Sequence, residues 1–328
     1  MDRGGESDAR ETAWSVVMLA REPAPLVLAN LAWHLAAGAK AVHLYLDDPR
    51  DPVAEAAAAL PNVTVIRCDR AFWQRLAGNR PALQTRRQSL VATEAYRATA
   101  TGWMLHLDAD EFLWPATGLA AALGQMPPSA QWLHLPVRER CFLGPDTQTL
   151  FDGGFLAPLP QGTPPADPER ARYLARGLTA HAAGKGCTRC GQDAELLPHA
   201  PRLRGERPPS ERAAQARILH FDGLTRLHWL LKLLRYADHP PGQWERFLGA
   251  HRQAQLHYVR AHRHDPGALR AFHDMLKCCM GDKGGRAEKL AFDPVPAMRR
   301  YLTPVPGIDS AGFDEMLRRA DPERCVGL

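Results

Sequence analysis

The chain has 328 residues, enough for one large domain or two modest ones. Hydrophobic residues make up 45% and charged residues 23%, and 41 basic against 36 acidic side chains leave a formal charge of +5. So weak a bias does not argue for nucleic acid or a membrane surface as a partner. No apolar run reaches bilayer length, and the N-terminus lacks a basic segment followed by a long apolar stretch. Seven scattered cysteines do not make a disulfide framework, so the expected setting is a reducing cytosol. Only six of the basic residues are lysines; the rest are arginines, which suit bidentate recognition of phosphate and carboxylate.

The run WSVVMLA at 14–20 is short, apolar and β-branched, and predicts a buried strand. Residues 26–37 carry apolar side chains at helical spacing, and Gly38 is placed to end that helix. AVHLYL at 41–46 predicts a second strand ending in Asp47-Asp48, residues 52–60 a helix, and VTVIR at 63–67 a third strand. Residues 69–80 are expected to be a connection and 81–99 a helix. WMLHL at 103–107 predicts a fourth strand ending in Asp108-Ala109-Asp110-Glu111; a helix at 118–126 and a strand at 132–137 follow. This alternation predicts an α/β fold with a mostly parallel, Rossmann-like sheet flanked by helices. The second half is less regular, with Pro-rich loops at 156–170 and 201–211, a compact patch at 184–197, a strand at 217–221 and a helix at 225–236. From about 241 onward the pattern is helical, and it is rich in His and Arg. The expected organisation is a flexible N-terminus over 1–13, a main domain over 14–240 and a helical C-terminal extension over 241–328.

Asp108 and Asp110 end an apolar strand, where ligands bind in open α/β sheets, and two carboxylates one residue apart suit a hard divalent cation such as Mg²⁺ or Mn²⁺. His220, in ILHFDG, is a candidate nitrogen ligand for the same metal. Asp47 and Asp48 can accept hydrogen bonds from a base or a ribose, or can simply form a turn. Arg87, on the helix with Gln84, Arg86 and Gln88, is a candidate to face a phosphate. In GKGCTRCG, Lys185 and Arg189 are candidates to meet a diphosphate, while Cys187 and Cys190 have the spacing of a zinc clamp or redox pair. Glu139 follows the fifth strand and is flanked by Arg138 and Arg140; it is the favoured candidate for a general base, ahead of Asp152, Asp193 and Glu195, with a plain salt bridge as the alternative.

Together these parts resemble a GT-A-type glycosyltransferase, in the bacterial family 2 subgroup related to family 92. The similar stretches are MLARE at 18–22, LAWHL at 31–35, YLDD at 45–48, LDADEFL at 107–113, Lys185 with Arg189, and LHFDG at 219–223. The family's turn is shortened here to Arg21-Glu22. The resemblance implies donor contacts from Arg21, Glu22, Asp47, Asp48, Arg87, Asp108, Lys185 and Arg189. It implies a metal, Mn²⁺ or Mg²⁺, on Asp108, Asp110 and His220. The implied reaction transfers a sugar, with inversion, from a UDP- or GDP-sugar to an acceptor hydroxyl on a glycan or lipid-linked substrate. The setting it implies is cytoplasmic, peripheral at the inner membrane face. The alternative is a glycosyltransferase-like protein that binds a nucleotide or glycan without turnover.

Overall fold

The computed structural model describes residues 12–100, 102–144, 149–279 and 286–328, so residues 1–11 of the expected flexible N-terminus lie outside the described residues. In chain order the first elements are β1 (Trp14–Ala20), α1 (Ala24–Ala36), β2 (Val42–Leu46), α2 (Val53–Ala58), β3 (Val63–Arg67), α3 (Arg70–Ala77), α4 (Gln84–Arg97) and β4 (Trp103–His106). There follow β5 (Glu111–Trp114), α5 (Gly118–Gly124), β6 (Trp132–Leu135), β7 (Val137–Cys141), β8 (Gly154–Leu156), α6 (Pro168–Ala171), β9 (Lys185–Arg189) and β10 (Ala194–Leu196). The last are β11 (Pro201–Leu203), β12 (Glu211–Arg212), β13 (Arg217–His220), α7 (Arg226–Ala237), α8 (Ala250–Ala261), α9 (Pro266–Lys277), α10 (Val295–Tyr301) and α11 (Ser310–Ala320).

These elements make two compact units. The first draws on the chain up to Pro136, on Ala183–Ile218 and on Pro294–Pro306; the second on Val137–Ala182, Leu219–Asp293 and Gly307–Leu328. This division does not follow a boundary near residue 240, because the chain passes repeatedly from one unit to the other.

The first unit is a mixed α/β, Rossmann-like layer. Its seven-stranded sheet has the order β12-β6-β9-β4-β1-β2-β3. β3, β2, β1 and β4 are parallel, β9 runs antiparallel to both β4 and β6, and β12 is parallel to β6. β1 is buried along its whole length, as a strand covered on both faces must be, and this is why it reads as an unbroken apolar run. Strand order reverses between β1 and β4, the switch point at which ligands bind beyond the carboxyl ends. α3 occupies the expected connection at 69–80. The Asp69 carboxylate caps it by accepting from the Phe72 N–H at 2.7 Å, and Gly78 ends it at φ +74°.

In the second unit β7 pairs antiparallel with β8. α7 packs with α8, α9 and α11, around Tyr173, Trp229, Tyr258 and Phe272. The turn leading into α7 is built around Gly223, at φ +96°, where an added Cβ would come within 2.6 Å of the Trp229 Cβ. Gly223→Ala should therefore cost more than about 2 kcal/mol, combining left-handed strain with steric overlap, and urea unfolding of the two proteins measures it. Among the described residues no helix is long and apolar enough to cross a membrane.

Candidate functional site

The carboxyl ends of β2 and β4 flank β1 at the switch point, and each is followed by an aspartate. Asp47 is buried directly after β2 and forms ion pairs with Arg87, at 3.0 Å, and Arg80, at 2.8 Å. The Arg87 guanidinium also donates to the carbonyls of Pro81 and Ala82, at 2.8 and 2.7 Å. The expectation that Arg87 faces a phosphate is corrected here: its guanidinium is buried and engaged by Asp47 and two carbonyls, and it pins the start of α4 over the sheet. Asp48 is half-buried and accepts from the Arg50 N–H at 3.0 Å, as in a turn. At the end of β1, Arg21 is exposed and Glu22 half-buried.

Beyond β4 the backbone turns through Asp108–Asp110 into β5. α1 holds that turn. Asn30 donates from Nδ2 to the carbonyls of Ala109, at 3.0 Å, and Glu111, at 2.7 Å. Trp33 Nε1 donates to the Leu113 carbonyl at 2.8 Å, and His34 Nε2 accepts from the Leu113 N–H at 3.2 Å. Since Nε2 accepts, His34 Nδ1 carries the proton and donates to the Asn30 carbonyl at 2.9 Å. Burial lowers the His34 pKa to about 4. The Trp-His pair in LAWHL thus works as a backbone clamp. Asn30 was missed in the sequence, although a polar residue inside an otherwise apolar helix is the signal that could have found it.

Lys185, at the start of β9, is fully buried, with its Nζ 2.6 Å from Asp108 Oδ2 and 2.8 Å from Glu111 Oε2. Burial alone would lower its pKa, but the Coulombic pull of Asp108 and Glu111 outweighs burial and raises it, so the ammonium stays charged. Glu111 Oε2 also accepts from the Asp108 N–H at 2.8 Å. Gln88, on α4, donates to the other Asp108 oxygen. Asp110 is buried alongside. Asp108, Asp110 and Glu111 bring three carboxylates to this turn beside Lys185, oxygen donors of the kind a hard cation takes. Lys185 lies here as a partner of carboxylates rather than as a free phosphate ligand. His106, also missed in the sequence, sits two residues before Asp108. Its Nδ1 donates to the Leu197 carbonyl at 3.2 Å, and burial, with Lys185 nearby, lowers its pKa to about 4.

Arg189 is not brought to this edge. β9 runs antiparallel to β4, so Arg189 lies opposite Trp103 at the amino end of β4. There its guanidinium covers the Trp103 ring at 4.4 Å and donates to the Ala130 carbonyl at 2.9 Å. Cys187 lies within β9 and Cys190 in the bend just past its end, both as free thiols. Both are buried, and burial raises both thiols, Cys190 to about 12. Glu195, a candidate base, instead pairs with Arg86 at 3.1 Å.

Glu139 lies in the second unit. One of its oxygens accepts from the Thr179 N–H and the other from the Ala180 N–H, at 2.7 and 2.8 Å, and Lys277 Nζ is 3.7 Å away. Strand alternation turns Arg138 and Arg140 away from it: Arg138 reaches Glu288, and Arg140 donates to the carbonyls of Asp152, Gly223 and Leu224. Glu139 is thus a buried, saturated acceptor, contrary to its expected role as a base. His220 is also in the second unit, buried at the end of β13 with its ring stacked on His181. At the end of α9, His273, Asp274 and the following Cys278 bring three metal-type donors within 4.8 Å of one another, but the Arg226 guanidinium, 3.0 Å from Asp274, opposes a cation there.

No protein-family profile and no curated protein matches the chain. Among solved structures it is similar to a crystal structure of 4-diphosphocytidyl-2C-methyl-D-erythritol synthase, with 16% identity, coverage of 55% of this chain and 76% of that one, and a TM-score of 0.31. A likeness so distant carries no argument about function.

Proposed function

We propose that the first unit is a GT-A-type glycosyltransferase domain that takes a UDP- or GDP-sugar with Mn²⁺ or Mg²⁺ and transfers the sugar, with inversion, to an acceptor hydroxyl on a glycan or lipid-linked substrate. One observation carries the reading: the LDADEFL turn at 107–113, with the carboxylates of Asp108, Asp110 and Glu111, lies at the switch point of a Rossmann-like sheet. Asp108 and Asp110 would hold the cation, whose contribution is to neutralise charge on the departing nucleoside diphosphate. Lys185 and Glu111 orient Asp108, and Asn30, Trp33 and His34 fix the backbone that carries both aspartates. Asp47 and Asp48 close the β2 side, where base or ribose contacts are expected. Glu139 has no part as the base, because its oxygens are already engaged. A cytoplasmic setting, peripheral to the inner membrane face, belongs to the same proposal.

A second reading is binding without turnover. It is favoured by the engagement of both Asp108 oxygens, with Gln88 and Lys185. Thermal shifts with UDP-glucose and GDP-mannose, with and without Mn²⁺, test the first step common to both. Tm should rise only with nucleotide sugar and metal together, by ligand linkage, and Asp110→Asn should abolish the rise. No shift with either nucleotide sugar in wild type would sink the transfer reading for these donors and nucleotide binding with it, leaving only glycan binding. Donor hydrolysis in the presence of metal would separate them.

A further inference from the structure

We propose that Cys141 and Cys279 form a reversible disulfide within the second unit, made and broken by exchange with a low-molecular-weight disulfide. The proposal goes beyond the transfer reaction and uses none of its residues. Both cysteines are thiols here, 2% and 4% exposed. They share one apolar cluster with Val137, Leu156 and Leu178.

The backbone brings the two together. Cys141 ends β7, and the next residue, Phe142, is stitched to the chain leaving α9. The Phe142 N–H donates to the Lys277 carbonyl at 2.9 Å, and the Phe142 carbonyl accepts from the Cys279 N–H at 2.8 Å. Phe142 thereby lies opposite Cys278 in a parallel bridge. Beside that bridge the thiols of Cys141 and Cys279 are hydrogen-bonded to each other. Cys278, although adjacent in sequence to Cys279, is engaged elsewhere, with its Sγ 3.7 Å from Asp274 Oδ1. The geometry therefore selects one partner for Cys141.

A cation stands beside the pair. The Arg170 guanidinium is close enough to interact with the charge of either thiolate, most strongly with that of Cys279. Its Nη2 donates to the Leu276 carbonyl at 3.1 Å, but its Nε is buried with no acceptor among the described residues. A buried donor left unsatisfied costs stability, and a sulfur anion is an acceptor that this cluster can itself supply. The hydrogen bond with Cys279, together with burial, holds the Cys141 thiol well above its usual pKa, so Cys141 stays protonated and Cys279 begins the exchange. The Cys279 thiolate attacks one sulfur of the small disulfide, whose S–S bond breaks and releases a small thiolate. Cys141 then attacks the Cys279 sulfur of the mixed disulfide, forming the 141–279 bond and releasing a second small thiolate. The protons of both cysteines end on the released thiols, and two electrons pass from the protein to the small disulfide. The bond joins β7 to the end of α9 and closes a long loop, the kind of link that constrains the unfolded chain most.

The test uses the full chain with neither nucleotide nor metal, so its outcome is independent of the proposed transfer reaction. Buried sulfurs exchange slowly, so the protein is brought to equilibrium in glutathione buffers from fully reduced to fully oxidised, then alkylated and mapped by peptide mass. Wild type should gain a 141–279 cross-link in the oxidised buffers. Its Tm should rise by at least about 5 °C over the reduced protein and return when dithiothreitol is added. Cys141→Ser and Cys279→Ser should each abolish both changes, whereas Cys278→Ser should keep them. The wild-type cross-link decides the matter by itself if a serine variant folds poorly. No 141–279 cross-link in the oxidised buffer, linkage of Cys278 in its place, or a Tm that does not rise with the cross-link would overturn the proposal.

Discussion

Replacing Lys185 by methionine should destabilise the protein by about 3–5 kcal/mol in urea unfolding, the usual effect of breaking a buried ion pair from one side. Methionine keeps the apolar stem, so the loss isolates the ammonium. Glu111 is fully buried and Asp108 partly so, and without Lys185 both carboxylates lose the ammonium they share across one backbone turn. The rescue is specific. Glu111→Gln removes the more deeply buried charge while its amide oxygen can still accept from the Asp108 N–H. Lys185→Met with Glu111→Gln should therefore recover part of the loss, as a coupling of at least about 1 kcal/mol in a double-mutant cycle. A Lys185→Met cost below about 1 kcal/mol, or strict additivity of the two substitutions, would show that the trio does not hold this turn.

The second large effect is a loss of stability in mild acid. His34 and His106 in the first unit, and His273 in the second, have pKa values lowered by burial from 6.5 to about 4. The unfolded chain therefore takes up protons below about pH 6.5 that the folded chain refuses until about pH 4. Stability is at its full value above that window and falls through it as pH decreases. Each histidine contributes about 3 kcal/mol to the fall across the whole window. Urea unfolding at intervals from pH 7 to pH 4.5 should show a steep decline, and His34→Gln, whose amide oxygen can replace the acceptor for Leu113, should flatten it. A stability constant from pH 7 to pH 4.5 would contradict the buried, neutral state of these rings.

β1 was legible because a strand covered on both faces must be apolar throughout, and it begins and ends where its apolar run does; β3, half-exposed at the sheet edge, was legible from its β-branched VTVI. β5 and β8 are only a few residues long, too short for periodicity to register. β7, VRERC, places charge on both faces and so hides as a loop. α3 went unread although its two end signals, Asp69 and Gly78, are both in the sequence. Within the site, Asp47 and Asp108 were legible from position alone. The partners of Arg87 and Lys185 were not. A basic residue near a ligand edge can face an anion from solvent or a carboxylate of its own chain, and only the fold brings Glu111 to Lys185 and Asp47 to Arg87. Glu139 misled because sequence neighbours on a strand point to opposite faces, so Arg138 and Arg140 say little about its surroundings. His181 carried no periodic signal, and only the fold stacks it on His220.

The alternation of the chain between its two units bears on how the protein is made. β1 and α1 leave the ribosome well before the helix that packs on α1, α10, which arrives only near residue 300. β9, needed to extend the sheet beyond β4, follows a whole stretch belonging to the other unit. Neither layer can finish while its own residues are still being synthesised, so apolar strand faces wait in the open for most of translation. A polypeptide stopped near residue 240 is consequently not a smaller working protein. It has all seven strands of the sheet but leaves α1 without α10, and α7 without α8, α9 and α11.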